Sequence, residues 1–234
     1  MNIIITGASK GIGYELVRFF ARNRQNHIVA ISRNGKDLKL LAADCLKINP
    51  ESHVTPYEFD LEQFEFYPFI VQRIETFIPR CDILINNAGC MFKRPFRELT
   101  PEEFDNMINV NFKAVYFFTQ ALLPMMSKDG HIVNIGSTGG LQGGKKHRGL
   151  SAYNASKAAL AVLTESLAEE LFEEGIHVNC LALGAVQTDM FGKAFPGIKA
   201  LHSAAQIAQY IAEFAITGSK FYNGKVLPVS TNVP

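Results

Sequence analysis

Tryptophan is missing from this chain, and cysteine is sparse: Cys45, Cys81, Cys90 and Cys180 lie scattered, with no paired metal-ligand spacing. That pattern excludes a disulfide-dense scaffold and a cysteine metal cluster, and implies free thiols in a reducing compartment. No excess of one charge sign exists either: 23 Lys and Arg stand against 22 Asp and Glu, for a formal net charge of +1. Such a balance gives no general pull toward nucleic acid or an anionic membrane. No apolar run approaches the roughly 20 residues that a membrane span requires. No signal peptide is expected, because Asn2 leads straight into the apolar run Ile3-Ile4-Ile5, and the cytoplasm is the expected compartment. His27, His53, His131, His177 and His202 are isolated in the sequence and lack ligand spacing, so no metal is expected. Repeats, low-complexity tracts and linkers are absent, and 234 residues suit a single α/β domain over 1–234.

What is present is a regular alternation. Short apolar runs (Ile3 to Ile5, Ile28 to Ile31, Val54 to Phe59, Ile83 to Ile85, Ile132 to Ile135, Val178 to Leu181, Val226 to Val229) read as strands. Several are apolar at consecutive positions, as strands covered on both faces are. Helix-period segments lie between them: Gly11 to Arg22, Gly35 to Lys47, Phe64 to Phe77, Pro101 to Met126, Ala152 to Glu174 and Ala204 to Ile216. The alternation predicts a doubly wound parallel sheet with helices on both faces. Thr100 with Glu103, and Ser203 with Gln206, have the spacing of capping boxes. Gly175 follows Glu174, where a helix end favours a left-handed residue. Leu160, Leu163, Leu167 and Leu171 recur at three- and four-residue steps and predict a core-facing stripe.

Gly7, Gly11 and Gly13 sit between the first strand and the first helix. Glycine suits a tight turn that a pyrophosphate must approach closely. The helix N-terminus beyond it offers free amides and partial positive charge. A 2′-hydroxyl reader would be an acid about twenty positions further on. Arg33 stands there instead, and Lys10 lies within the turn on the same side. A guanidinium pairs with a 2′-phosphate where a carboxylate would repel it, so NADP(H) is expected over NAD(H).

Tyr153 and Lys157 are four residues apart in a predicted helix, which stacks them on one face. A lysine charge beside the phenol is expected to lower the tyrosine pKa from about 10 toward working pH. Such a phenol exchanges a proton with a carbonyl or alcohol oxygen.

Together these motifs resemble the short-chain dehydrogenase/reductase family over Met1 to about Val229. The resemblance is carried by the Thr6 to Gly13 turn, Asn86-Asn87-Ala88-Gly89, Asn111, Ser137, and Tyr153 with Lys157. It implies a Rossmann-type, doubly wound, seven-stranded parallel sheet with helices on both faces. By the same resemblance Tyr153 is the acid/base, Lys157 lowers its pKa and holds the nicotinamide ribose, and Ser137 bonds the reacting oxygen. Asn111 is expected to bind a water in a proton relay from Lys157. Gly7, Ser9, Lys10, Gly11, Ile12 and Gly13 form the cofactor turn. Asn87, Ala88 and Gly89 form the floor beneath the cofactor, and Asp60 and Leu61 touch adenine. Gly184 opens the turn to Val186 and Thr188, which orient the carboxamide. The resemblance also implies a homodimer or homotetramer, built on the helix that carries Tyr153 and the one before it.

Three departures from the family pattern stand out. Leu183-Gly184 replaces the usual Pro-Gly after the sixth strand, which is expected to loosen the turn to Val186. Ser137 and Tyr153 are 16 positions apart, so the loop between them bulges, and it carries Lys145-Lys146-His147-Arg148. That run is either a solvated charge cluster or a docking patch for an anionic or carrier-bound substrate. The segment of about 189–203 is short, leaving Phe191, Phe195, Pro196 and Ile198 for a small apolar flap over an open site. The expected activity is hydride transfer between NADP(H) and a ketone or secondary alcohol, as a carbonyl reductase of the 3-oxoacyl reductase type or another. Two alternatives stand beside it: a non-catalytic nucleotide-binding regulator or redox sensor on the same fold, which tends to lose the tyrosine or lysine, and a nucleotide-sugar enzyme, which usually carries a longer carboxyl-terminal region.

Overall fold

Ile3, Ile4 and Ile5 are all fully buried, yet they pack into two different cores. Alternate residues of a strand point to opposite faces, so three consecutive buried isoleucines require cover on both sides. Burial of each is worth roughly 1.5–3 kcal/mol. The computed structural model describes residues 1–231; residues 232–234, the end of the expected domain, lie outside the described residues.

The strands are β1 (Asn2–Thr6), β2 (His27–Ser32), β3 (His53–Glu58), β4 (Cys81–Asn86), β5 (Met126–Ser137), β6 (His177–Leu183) and, after two short strands, β9 (Val226–Val229). They form one seven-stranded sheet in the order β3-β2-β1-β4-β5-β6-β9, parallel throughout. The helices are α1 (Gly11–Phe20), α2 (Gly35–Ile48), α3 (Tyr67–Glu75), α4 (Pro101–Ile108), α5 (Ala114–Leu122), α6 (Ser151–Glu170), α7 (Asp189–Ala194) and α8 (Ala204–Thr217). Leu16 of α1, Leu41 of α2 and Ile211 of α8 join Ile3 and Ile5 on one face. Ile74 of α3, Phe118 of α5 and Ala168 of α6 join Ile4 on the other.

The chain runs outward through β2 and β3, then returns to place β4 on the far side of β1. A ligand crevice opens at the carboxyl ends of strands where the order reverses in this way. Thr6 and Asn86 end the two strands that flank that point.

Both capping boxes form as expected, at Thr100 with Glu103 and at Ser203 with Gln206. Three helical expectations change in detail. The expected helix from Pro101 to Met126 is broken: a π-turn at Asn109–Lys113 separates α4 from α5, and Met126 already belongs to β5. The expected helix from Ala152 to Glu174 ends at Glu170, and Gly175 takes its left-handed φ of +72° in the turn beyond. The first turn of the expected Phe64–Phe77 helix is 3₁₀, because Pro68 sits where α3 begins. The 189–203 segment is more ordered than a bare flap. It contains α7 and is clipped by a two-residue parallel pairing of β7 (Val186–Gln187) with β8 (His202–Ser203). His27 and His53, isolated in the sequence, stack at 4.5 Å across β2 and β3. Among the described residues, no helix is long and apolar enough to cross a membrane, and no group of His, Cys, Asp or Glu is placed to hold a metal ion.

Candidate active site

The glycine turn is fastened to β4 before it reaches α1. The Thr6 hydroxyl accepts from the amides of Asn87 at 3.1 Å and Ala88 at 3.0 Å, and Asn87 Nδ2 donates to the carbonyls of Thr6 at 2.9 Å and Gly7 at 3.2 Å. Gly7 has φ +66°, and a Cβ there would sit 2.7 Å from Ala88 Cα. At Gly13 a Cβ would meet the Gly7 carbonyl oxygen at 2.3 Å. Only glycine fits either position. Gly11, at φ +59°, brings the turn within 3.5 Å (to a Cβ) of the Thr188 methyl, so the two ends of the expected cofactor site meet across the crevice. Lys10, the residue before α1, makes no side-chain cap, which leaves the first amides of the helix to a ligand. Asn87 therefore holds the turn closed.

At the adenine end, Ser32 Oγ donates to Ser9 Oγ at 2.8 Å. The reading of two cations and no acid needs correction here. The Arg33 guanidinium lies 3.8 Å from an Asp60 oxygen and 3.9 Å from a Glu62 oxygen. The acids come from the turn after β3, which the sheet places beside the end of β2. Glu62 was not anticipated, although it stands two residues after Asp60. It also accepts from Asn106 Nδ2 at 3.2 Å and Asn109 Nδ2 at 3.4 Å, tying the Arg33 end to α4 and the π-turn. Leu61 is buried in the core, with its carbonyl accepting from the Tyr67 hydroxyl at 2.5 Å.

At the reacting end, β5 delivers Ser137 and α6 delivers Tyr153 and Lys157 to the same place. Ser137 stands beside the Tyr153 hydroxyl, whose pKa it pulls down against burial, and accepts from the Gly139 amide at 3.2 Å. Close approach of the two elements depends on Gly140, which the sequence reading passed over: a Cβ there would be 2.7 Å from the Lys157 carbonyl carbon. The Gly139-Gly140 pair straight after Ser137 was its signal. Lys157 is buried, and its Nζ donates to the Ile135 carbonyl at 2.8 Å. A Cβ on Gly89 would stand 3.2 Å from Asn111 Oδ1 and 3.6 Å from that amine, so this stretch of backbone runs directly beside both.

The expected lowering of the Tyr153 pKa by Lys157 is not what the structure holds. Burial raises the phenol, and the neighbouring Ser137 hydroxyl opposes this. The cause is geometric: the amine is turned to Ile135 and is itself pulled down to about 8 by burial. Asn111, fully buried in the π-turn, uses its side chain structurally. Its Oδ1 accepts from the Cys90 amide at 2.8 Å, and its Nδ2 donates to the Cys90 carbonyl at 2.9 Å and to Ser156 Oγ at 3.0 Å. Ser156 in turn donates to the Tyr153 carbonyl at 2.8 Å. Cys90 and Ser156, both unforeseen, thus lock Asn111 to α6.

Leu183 does not loosen its turn. It ends β6, buried and paired with Val229, and the Gly184 amide donates to the Val229 carbonyl at 3.0 Å. Val186 is buried in the core, and the Thr188 hydroxyl caps α7 by accepting from the Phe191 amide at 3.2 Å.

A glycine turn at a topological switch point, with a serine, tyrosine and lysine converging a short distance away, defines a dinucleotide-binding α/β protein. Comparison with known proteins supplies the family. The profile of the short chain dehydrogenase family matches residues 1–199, and the chain belongs to that family of oxidoreductases. It is 37% identical to the oxidoreductase UcpA of Salmonella typhimurium over 190 residues, covering 80% of this chain and 70% of that one. To the 3-oxoacyl-acyl-carrier-protein reductase of Thermotoga maritima it is 33% identical over 193 residues, covering 81% and 76%. A short chain dehydrogenase of Shigella flexneri, solved in complex with NADP, superposes with a TM-score of 0.88 at 29% identity, covering 97% of this chain and 95% of that one.

Proposed function

We propose that this protein is an NADP-dependent carbonyl reductase that interconverts a ketone and a secondary alcohol. The observation that carries the reading is the meeting of Ser137, at the end of β5, with the Tyr153 hydroxyl of α6, and Lys157 one helical turn further along. NADP(H), when bound, supplies or accepts the hydride. The two glycine positions that reject a Cβ, together with the uncapped start of α1, fit its diphosphate.

Within this reading Gly7, Ser9, Lys10, Gly11, Ile12 and Gly13 cradle the diphosphate, and Arg33 takes the 2′-phosphate. Asp60 and Leu61 border the adenine, Asn87, Ala88 and Gly89 floor the cleft, and Gly184, Val186 and Thr188 set the carboxamide. The Shigella relative was solved with NADP, and Arg33 is a cation where an NAD reader would be acidic. Ser137 and Tyr153 both donate to the substrate oxygen. Tyr153 gives up its proton as charge builds there, worth roughly 10²- to 10⁴-fold. A phenol held high by burial keeps its proton at neutral pH and so stands ready as the acid. The Lys157 amine, with a pKa near 8, exchanges protons readily at working pH. Both Nδ2 hydrogens of Asn111 are engaged, so a water in the relay would have to donate to its Oδ1, which holds one other donor, the Cys90 amide.

The thiols speak against the redox-sensor alternative. Burial pushes Cys90 and Cys180 up to about 11, so both remain protonated and unreactive near neutral pH. The exposed Ala155 and Val162 on α6, with Tyr116 and Phe117 on α5, offer a surface for a homodimer or homotetramer, which light scattering would report. The reducing cytoplasm suits four free cysteines.

Parallel titrations with NADPH and NADH test the cofactor, and a ketone panel run with the tighter nucleotide tests the reaction. NADPH bound at least tenfold tighter, with turnover on ketones, is expected. Failure to bind either nucleotide, or turnover unchanged in Tyr153→Phe, overturns the proposal.

A further inference from the structure

Positive charge on this molecule is concentrated in three segments that meet at one end of the cleft. Residues 91–97, 141–150 and 189–199 carry eight Lys and Arg and one acid, Asp189, which leaves 15 cations against 21 acids in the rest of the chain. A protein of net charge +1 is therefore strongly polarised. Contacts join the three segments. Lys93 Nζ donates to the Ala194 carbonyl at 3.0 Å and stands 4.0 Å over the Phe195 ring. The His147 ring meets the same phenylalanine edge-on at 5.5 Å, and the Arg94 amide donates to the Gly149 carbonyl at 3.0 Å. Among the described residues Arg94 alone of the eight cations has a carboxylate partner, Glu103 at 2.9 Å. Lys146 is spent on the Leu141 main-chain carbonyl, at 2.5 Å, and not on an acid.

Two of these cations, Lys146 and Arg148, line a cavity of about 360 Å³ together with His147 and Asn154. Asn154 connects the cavity to the chemistry. A Cβ at Gly139, two residues past Ser137, would lie 2.3 Å from Asn154 Oδ1, and Tyr153 is the preceding residue of α6. We infer that the substrate is an anionic ketone, bearing a carboxylate or phosphate remote from its carbonyl, and that Lys146 and Arg148, supported by Lys93 and Lys193, hold that anion. The inference rests on the reductase reading of the Ser137–Tyr153 site. Like charges kept unpaired around a concave site raise the local concentration of an anion and orient it. The alternative, a solvated charge run, does not account for three separate segments converging with a single acid among them.

Two matched pairs test the inference: levulinate against methyl levulinate, and dihydroxyacetone phosphate against dihydroxyacetone. Each is measured with NADPH, for turnover and, by saturation-transfer NMR, for contact with the NADPH-loaded protein. Wild type is expected to favour at least one anion over its neutral partner by tenfold or more. The favoured pair separates carboxylate from phosphate. The preference should shrink several-fold between 20 mM and 500 mM salt, vanish in K146Q/R148Q and reverse in K146E/R148E. NADPH titration of both variants reports whether they fold. Equal contact and turnover within both pairs, or a preference unchanged in folded K146Q/R148Q, overturns the inference. Absence of turnover with all four ketones counts against the reductase reading, and in that case the NMR contact still decides whether the anion site exists.

Discussion

Lys157 Nζ donates to the Ile135 main-chain carbonyl at 2.8 Å, from a residue that is 5% exposed. Its amine is pulled from 10.5 to about 8, chiefly by burial. The sign of the linkage follows. Between about pH 8 and 10.5 the unfolded chain binds a proton that the folded chain releases, so this group adds stability as pH rises through that window. Below pH 8 the charged, buried amine costs the fold on the order of 3 kcal/mol. Lys157→Met lacks the titration. Its melting temperature measured against wild type at pH 7 and pH 9.5 should show wild type gaining on the variant at the higher pH. A constant difference would mean that the lysine titrates normally.

Tyr153→Phe removes one hydroxyl and leaves the ring in place. Ser137 loses the neighbouring hydroxyl but keeps the Gly139 amide. Turnover should fall by about 10²- to 10⁴-fold, while NADPH affinity changes less than threefold. Steady-state kinetics beside a fluorescence titration separates the two. Parallel losses in both would show that the phenol serves the cofactor rather than the proton.

All seven strands and their parallel character were legible because each was an apolar run bounded by turn residues, and the sheet needed nothing else. The Tyr153–Lys157 pair was legible because helical spacing places such residues together. Its electrostatics were not, since the direction in which Lys157 points depends on the Ile135 carbonyl, 22 residues earlier in the chain. The same limit hid Glu62 from Arg33. They are 29 residues apart in the sequence, and only the pairing of β2 with β3 makes them neighbours. The break at Asn109–Lys113 had no glycine or proline to announce it. It is fixed by Asn111 bonding across to Cys90 and Ser156, contacts that exist only after folding.

Arg33 is held between two carboxylates at 3.8 and 3.9 Å, distances at which a pair of charges near a protein surface attracts by on the order of 4 kcal/mol. With its side chain 61% exposed, the net hold is far smaller, within about 1 kcal/mol for each pair. An arriving 2′-phosphate competes with these acids for the guanidinium. Glu62→Gln removes one competitor and one negative charge near the phosphate. Its NADPH affinity should rise about two- to fivefold with NADH little changed, whereas Arg33→Ala should lose tenfold or more of the NADPH preference. Side-by-side titrations measure both. An equal rise for both nucleotides in Glu62→Gln would assign the carboxylate a general role in the cleft and not one at the 2′-position.

Gly13→Ala tests the turn itself. Its new methyl would lie 2.3 Å from the Gly7 carbonyl oxygen and 2.6 Å from Asn87 Nδ2. Neither neighbour moves freely: Asn87 Nδ2 already bridges the carbonyls of Thr6 and Gly7, and the Asn87 amide is bound to the Thr6 hydroxyl. The strain must therefore pass into the junction of β1 and β4, at a cost of about 1–3 kcal/mol. For a chain of this size each kcal/mol lowers the melting temperature by roughly 2–4 °C. Gly11→Ala differs, because its methyl meets nothing closer than the Thr188 methyl at 3.5 Å and is opposed only by the left-handed φ of +59°. Calorimetry should rank Gly13→Ala below Gly11→Ala in stability, while both lose NADPH affinity. The reverse ranking would show that backbone conformation, not close packing against Gly7, fixes glycine in this turn.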